Sequence, residues 1–288
     1  MSRVLVTGAS GFLGRTLVHV LRVQGHQVFT LDRKDWDLTG PELFTRSGVH
    51  GPDHVFHLAA RTFVPDSWVE PSEFMRVNFL GTLNVLENCR QAGASLTFVS
   101  AYLYGTPDRL PVREDAPLRP NNPYALSKCV AEEACDFYHR IHGIPVQVVR
   151  PFNIYGPDQP VKFLFPSLLS QILGDSGEIV VNDLEPRRDY IHVTDVANGI
   201  SMTVKRPGFG VFNLGSGVSV SVQEVLNRMQ AMAGTRKPVR SMGARRNNEL
   251  MDVYADISKA KAELGWTPKI TLDQGIAMLL GKTHESFF

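Results

Sequence analysis

Cysteine is scarce in this chain of 288 residues. Cys89, Cys129 and Cys135 are too few and wrongly spaced for a disulfide framework or a zinc site, so buried free thiols in a reducing compartment are expected. Charge of one sign is missing too: 30 Lys and Arg face 29 Asp and Glu, a net charge of +1. That balance lacks the basic footprint of a nucleic-acid binder, and any anion site must be local. No apolar run reaches the ~18 residues of a membrane-spanning helix, and the first strand starts at Arg3 with no basic, apolar leader. The expectation is a cytoplasmic protein with neither nucleic acid nor membrane as partner. Repeats, low-complexity tracts and long charge runs are absent as well. His54 and His57 fall on opposite faces of one strand, and the other histidines lack metal-ligand spacing, so no metal site is expected.

What is present is an alternation. Strand-like runs at Val4–Val6, Val28–Leu31, His54–Leu58, Leu96–Val99 and Val146–Val149 are separated by helix-like segments, among them Leu13–Gln24, Phe74–Gln91 and Tyr124–His142. Short apolar strands alternating with helices predict an α/β fold, a doubly wound Rossmann parallel sheet. After Arg150 the chain turns proline-rich and looped, with amphipathic segments near Phe163–Leu173 and Val222–Ala233. The expected division is a dinucleotide-binding domain over 1–152 with a returning segment near 190–215. A smaller interleaved C-terminal substrate-binding lobe would take 153–189 and 216–288.

Gly8, Gly11 and Gly14 follow the first strand and open a helix, with Phe12 and Leu13 between the last two. Glycines there allow a tight turn and close approach of the backbone to a pyrophosphate, which meets the helix amides and dipole. Asp32 ends the next strand, where a carboxylate binds ribose hydroxyls and repels a 2′-phosphate. NAD(H) is therefore the preferred cofactor, and NADP(H) stays possible because Arg33 or Arg15 could reach such a phosphate. Tyr124 and Lys128 are four apart on one helix face, so an ammonium can sit beside a phenol and lower its pKa toward that of a general acid/base. Ser100 could share the reacting oxygen.

With the glycine turn, Ser100–Gly105, Tyr124–Lys128 and Arg150–Pro157 in order, the chain resembles the extended short-chain dehydrogenase/reductases, in their nucleotide-sugar branch. The resemblance implies Ser100, Tyr124 and Lys128 as catalytic residues, with Tyr124 and Lys128 also binding the nicotinamide ribose. It implies Asp37 and Leu38 at the adenine and Leu58, Ala59 and Ala60 beneath the cofactor. On the substrate side it implies Asn153, with Arg188 and Arg246 clamping a diphosphate. The family's dehydratases carry acidic residues at the two positions after Ser100; here Ala101 and Tyr102 stand there, which argues against dehydration. The implied activity is NAD(P)-dependent oxidoreduction at C4 of a nucleotide-diphosphate sugar, leaning to a 4-keto-reductase of a 6-deoxy-4-keto sugar. The alternatives are an NAD-dependent 4-epimerase and, more remotely, a non-catalytic dinucleotide-sensing protein. Family members pair through two long helices, so a homodimer is implied.

Overall fold

The computed structural model describes residues 1–32, 38–40, 51–244 and 250–282. Arg33, Asp37 and Arg246 lie outside the described residues. Six parallel strands form the main sheet in the order β2-β1-β3-β4-β5-β9. They are β1 (Arg3–Thr7), β2 (Gln27–Leu31), β3 (His54–His57), β4 (Ser95–Val99), β5 (Val146–Pro151) and β9 (Phe209–Leu214). Val4, Leu5 and Val6 are all fully buried, as a strand covered on both faces requires. One core cluster joins Leu5, Val55, Leu96 and Val146, and a second joins Val4, Val6, Phe56 and Phe212 on the opposite face.

The direction in which strands are added to the sheet reverses between β1 and β3, since β2 lies on one side of β1 and β3 on the other. At such a switch point the loops leave the sheet in opposite directions and open a crevice at the strands' carboxyl ends. Helix α1 (Phe12–Val23) follows β1 and buries Leu17, Val18 and Leu21. The expected continuous helix over Phe74–Gln91 is instead three pieces. Helix α3 (Pro71–Phe74), reached through the short α2 (Val64–Val69), runs into a π-helical turn at Met75–Leu80 and then into α4 (Gly81–Ala92). A π-turn inserts an extra residue and re-aims side chains, an arrangement frequent at functional sites.

Helix α5 (Pro123–His142) is well specified locally. The Asn122 side chain accepts from the Ala125 amide at 2.8 Å, Pro123 fills the first turn, and Gly143 ends the helix in the left-handed region (φ 70°). Beyond β5, β6 (Asn153–Tyr155), β8 (Arg187–His192) and β10 (Ser219–Ser221) make a second sheet. β7 (Ile179–Val181) pairs with β11 (Val239–Ser241). Helices α6 (Leu164–Leu173) and α8 (Val222–Ala233) complete a third core around Phe165, Leu168, Val225 and Leu226. Between β8 and β9, α7 (Val193–Ser201) packs with α1 beneath the main sheet. Ala260 of α9 (Ser258–Leu264) and Trp266 also belong to the main-sheet core, whereas Ile276 of α10 (Leu272–Leu279) joins the third. No described helix is long and apolar enough to cross a membrane.

Candidate active site

The glycine turn presses directly on the end of β3. Gly8 has φ +71°, and a Cβ there would sit 2.8 Å from the Ala59 nitrogen. A Cβ on Gly14 would meet the Gly8 carbonyl oxygen at 2.1 Å, so neither position accepts a side chain without backbone movement. Gly11 caps α1 with no side-chain hydrogen bond, and Phe12 and Leu13 follow. The first amides of α1 are thereby left as donors at the positive end of the helix dipole. Asp32 faces this turn: its carboxylate accepts from the Ser10 amide and hydroxyl, each at 2.8 Å. Leu58, Ala59 and Ala60 continue from β3 into the same cleft, and Leu38 closes it from the side while Asn84 donates to its carbonyl at 2.9 Å. The cleft encloses about 1200 Å³.

Ser100 is the first residue past β4, with its amide held by the Val149 carbonyl at 2.8 Å. Its Oγ is buried and has no hydrogen-bond partner among the described residues. A buried hydroxyl without a protein partner is uncommon, which makes Ser100 a candidate site residue. Tyr124 and Lys128 rise from the first turns of α5 into the same cleft. The expected coupling between them takes a different form. Lys128 Nζ donates to the Val99 carbonyl at 2.7 Å and lies 4.0 Å from the centre of the Phe98 ring. Burial lowers its pKa to about 7, with Glu132 one turn further along acting in the opposite direction. The Tyr124 phenol is pushed up, first by burial and then by Tyr102, rather than down. The physical reason is that the site strips water from both groups, which disfavours the charged form of each, the ammonium as well as the phenolate.

Asn78 was missed by sequence reading. Placed by the π-turn and almost fully buried, it donates to Ser127 Oγ at 2.9 Å and to the Arg61 carbonyl at 3.0 Å, and accepts from the Arg61 amide at 2.8 Å. It ties the wall after β3 to the helix that carries Tyr124 and Lys128. A lone amide inside the apolar run Val77–Leu80 was the available signal. Further along α5, Glu132 takes a buried bidentate contact from Arg150, whose Nη1 also reaches the Tyr104 hydroxyl at 3.0 Å. That pair fixes α5 to β5.

Asn153, Arg188 and Tyr102 line the same cleft. Tyr102 stacks on Phe152 at 5.0 Å and 16° and donates its hydroxyl to Asn153 Oδ1 at 3.0 Å, while Asn153 Nδ2 reaches the Asp189 carbonyl at 3.2 Å. The Asn153 amide is therefore held from both ends. Arg188 Nη1 donates to the Arg187 and Leu250 carbonyls. The two strand histidines have structural partners. His57 bridges the Thr7 and Thr82 hydroxyls, and His54 the Ser95 and Thr97 hydroxyls. All three cysteines are buried and free, and burial raises each thiol's pKa. Among the described residues no cluster could hold a metal ion.

A glycine turn that admits no side chain at Gly8 or Gly14, a carboxylate facing it from the end of β2 and a Ser-Tyr-Lys set in the same cleft at one switch point fit a class: Rossmann-fold enzymes that oxidise or reduce a substrate with a bound dinucleotide. Residues 4–215 match the family described as NAD dependent epimerase/dehydratase family. The chain belongs to that family, within the extended short-chain dehydrogenase/reductases. It is 32% identical to a GDP-6-deoxy-D-mannose reductase of Pseudomonas aeruginosa, over 96% of each chain. It is 31% identical to a putative UDP-glucose 4-epimerase of Methanocaldococcus jannaschii, over 95% of each. Among solved structures, RMD from Pseudomonas aeruginosa complexed with NADPH superposes with a TM-score of 0.90 at 29% identity, covering 98% of both chains. MoeE5 in complex with UDP-glucose and NAD superposes with a TM-score of 0.89 at 33% identity, covering 97% of this chain and 98% of that one.

Proposed function

We propose that this protein transfers hydride at C4 of a nucleotide-diphosphate hexose, as a reductase of a 6-deoxy-4-keto sugar, with NAD(H) preferred and NADP(H) accepted. The observation that carries the reading is the unpartnered, buried Ser100 hydroxyl in the cleft that Tyr124 and Lys128 share with the glycine turn. The cradle fits a dinucleotide, because Gly8 and Gly14 leave the close approach that a pyrophosphate needs. When bound, the nicotinamide supplies or accepts the hydride. Tyr124 donates the proton to the forming alkoxide at sugar O4, and Ser100 donates a hydrogen bond to the same oxygen. Burial keeps the Tyr124 phenol protonated at neutral pH, which is the form from which reduction starts. Lys128 holds the nicotinamide ribose, and Asp32 the adenosine ribose. Arg188 and Arg246 bind the diphosphate, and Asn153 faces the sugar.

The relative from Methanocaldococcus jannaschii supports a second reading, the NAD-dependent 4-epimerase, which the same residues would serve by oxidation followed by re-reduction. Denaturing the purified protein and measuring released dinucleotide separates the two. Stoichiometric retained NAD with conversion of a nucleotide sugar supports the epimerase, and exchangeable NADH consumed with a 4-keto sugar supports the reductase. If neither turnover occurs across a panel of nucleotide sugars, both readings fail.

The division into a dinucleotide domain (1–152, returning at 190–215) and a substrate lobe (153–189, 216–288) is part of the proposal. So is a homodimer built on α4 and α5, where Leu126, Phe137 and Ile141 of α5 are 47%, 48% and 58% exposed. The three buried thiols are in keeping with a cytoplasmic, reducing location.

A further inference from the structure

The loop after β6 is built around one side chain. Pro157 and Pro160 stiffen it, and Asp158 adopts φ +63°, a left-handed conformation that a residue with a Cβ enters at a cost. Gln159, next in the chain, lines the cleft. Its Nε2 donates to the Ile154 carbonyl at 2.9 Å, which fixes the amide, because the reversed orientation would set oxygen against oxygen. Its Oε1 is thereby aimed the other way, buried and without a hydrogen-bond partner among the described residues. Strain at Asp158, the flanking prolines and an unmatched buried acceptor on Gln159 together indicate a site prepared for a donor.

We propose that Gln159 Oε1 accepts a hydrogen bond from the carboxamide N–H of the nicotinamide ring, an inference that rests on the dinucleotide reading above. Arg15 on the first turn of α1 approaches Asp158 at 3.8 Å, so the loop is tied to the helix whose amides face the pyrophosphate. The other end of the loop adjoins Asn153 and Ile154, which also line the cleft and of which Asn153 is proposed above to face the sugar. Gln159 thus stands between the pyrophosphate and the sugar, where the nicotinamide belongs. Of the groups assigned above, only Asp32 is an acceptor, for the adenosine ribose; Lys128, Ser100 and Tyr124 act as donors, so the carboxamide N–H has no other acceptor assigned to it. An amide oxygen that holds the carboxamide also selects which ring face meets the sugar.

The test is a fluorescence titration with NADH and with its reduced 3-acetylpyridine analogue, in which a methyl group replaces the carboxamide NH2. Wild type should bind NADH about tenfold more tightly than the analogue. Gln159→Leu and Gln159→Met should each weaken NADH about tenfold, leave the analogue within about twofold, and retain a thermal midpoint close to wild type. Using two variants guards against one failing to fold. Equal losses for both ligands would overturn the assignment in favour of a loop-positioning role. Unchanged NADH binding with weakened nucleotide-sugar binding would move the acceptor to the substrate. If wild type bound neither dinucleotide, the underlying reading would fall and this assignment with it.

Discussion

The floor and the roof of the cleft are assembled differently. The floor comes from consecutive strand ends of one parallel sheet: the glycine turn after β1, Asp32 after β2, Leu58–Ala60 after β3 and Ser100 after β4. Each group begins one residue past a strand whose register is set by buried neighbours, so its place follows from the sheet. The roof gathers Asn153, Gln159, Arg188 and Leu250 from separate loops and short strands of the second half. Here positions depend on contacts such as Tyr102 with Asn153 and Arg188 with Leu250. The contrast teaches that the floor is placed by the regular layer, while the roof is placed by individual contacts in an irregular one; on the proposed function, the first would anchor the chemistry and the second the choice of sugar and nucleotide.

The sharpest way to break this comparison is at the helix beside the floor, α5, which carries Tyr124. Tyr124→Phe should lower kcat about a thousandfold while NADH affinity stays within about threefold, because only the proton is lost. Steady-state kinetics beside NADH titration would check this, and activity surviving within a few-fold would remove Tyr124 from the reaction. Gly14→Ala comes next, since its Cβ would collide with the Gly8 carbonyl. We expect NADH binding to weaken about a hundredfold, with a lower thermal midpoint. Normal affinity by titration would mean that the cradle is looser than its geometry.

Acid should also undermine the floor. Burial holds His54 and His57 down at about 3, far below the usual 6.5. Neutral imidazole in the folded state stabilises fully above pH 6.5, and this contribution is lost as pH falls toward 3, because the unfolded chain takes up protons first. Between pH 7 and pH 5 the loss is on the order of 2 kcal/mol for each histidine. Urea unfolding at the two pH values measures it, and replacing His57 with Gln should flatten the slope. The smallest effect belongs to the roof. Tyr102→Phe frees Asn153, so KM for the nucleotide sugar should rise about fivefold with kcat nearly unchanged. A fall in kcat instead would transfer Tyr102 from the roof to the catalytic group.

The same division explains what could be read from the chain. Short apolar strands and a glycine turn are local signals, so the sheet was legible, as was the meeting of the glycine turn, Ser100, Tyr124 and Lys128 in one cleft. The π-turn was not, because Met75–Leu80 carries the same apolar spacing as an ordinary helix, and Asn78 went unnoticed with it. Electrostatics was misjudged for a related reason: spacing places Tyr124 and Lys128 together but does not report the burial that shifts both pKa values. The unmatched oxygen of Gln159 depends on a loop conformation that no periodicity encodes.

The central claim is hydride transfer to C4 of a sugar. Incubating the protein with a nucleotide-linked 6-deoxy-4-keto hexose and NADH deuterated at the transferring C4 position, then locating deuterium in the product by NMR, tests it most directly. One deuterium on sugar C4, lost when Tyr124 is replaced by Phe, is the predicted result. A product without deuterium at C4, or label at another carbon, would contradict the account.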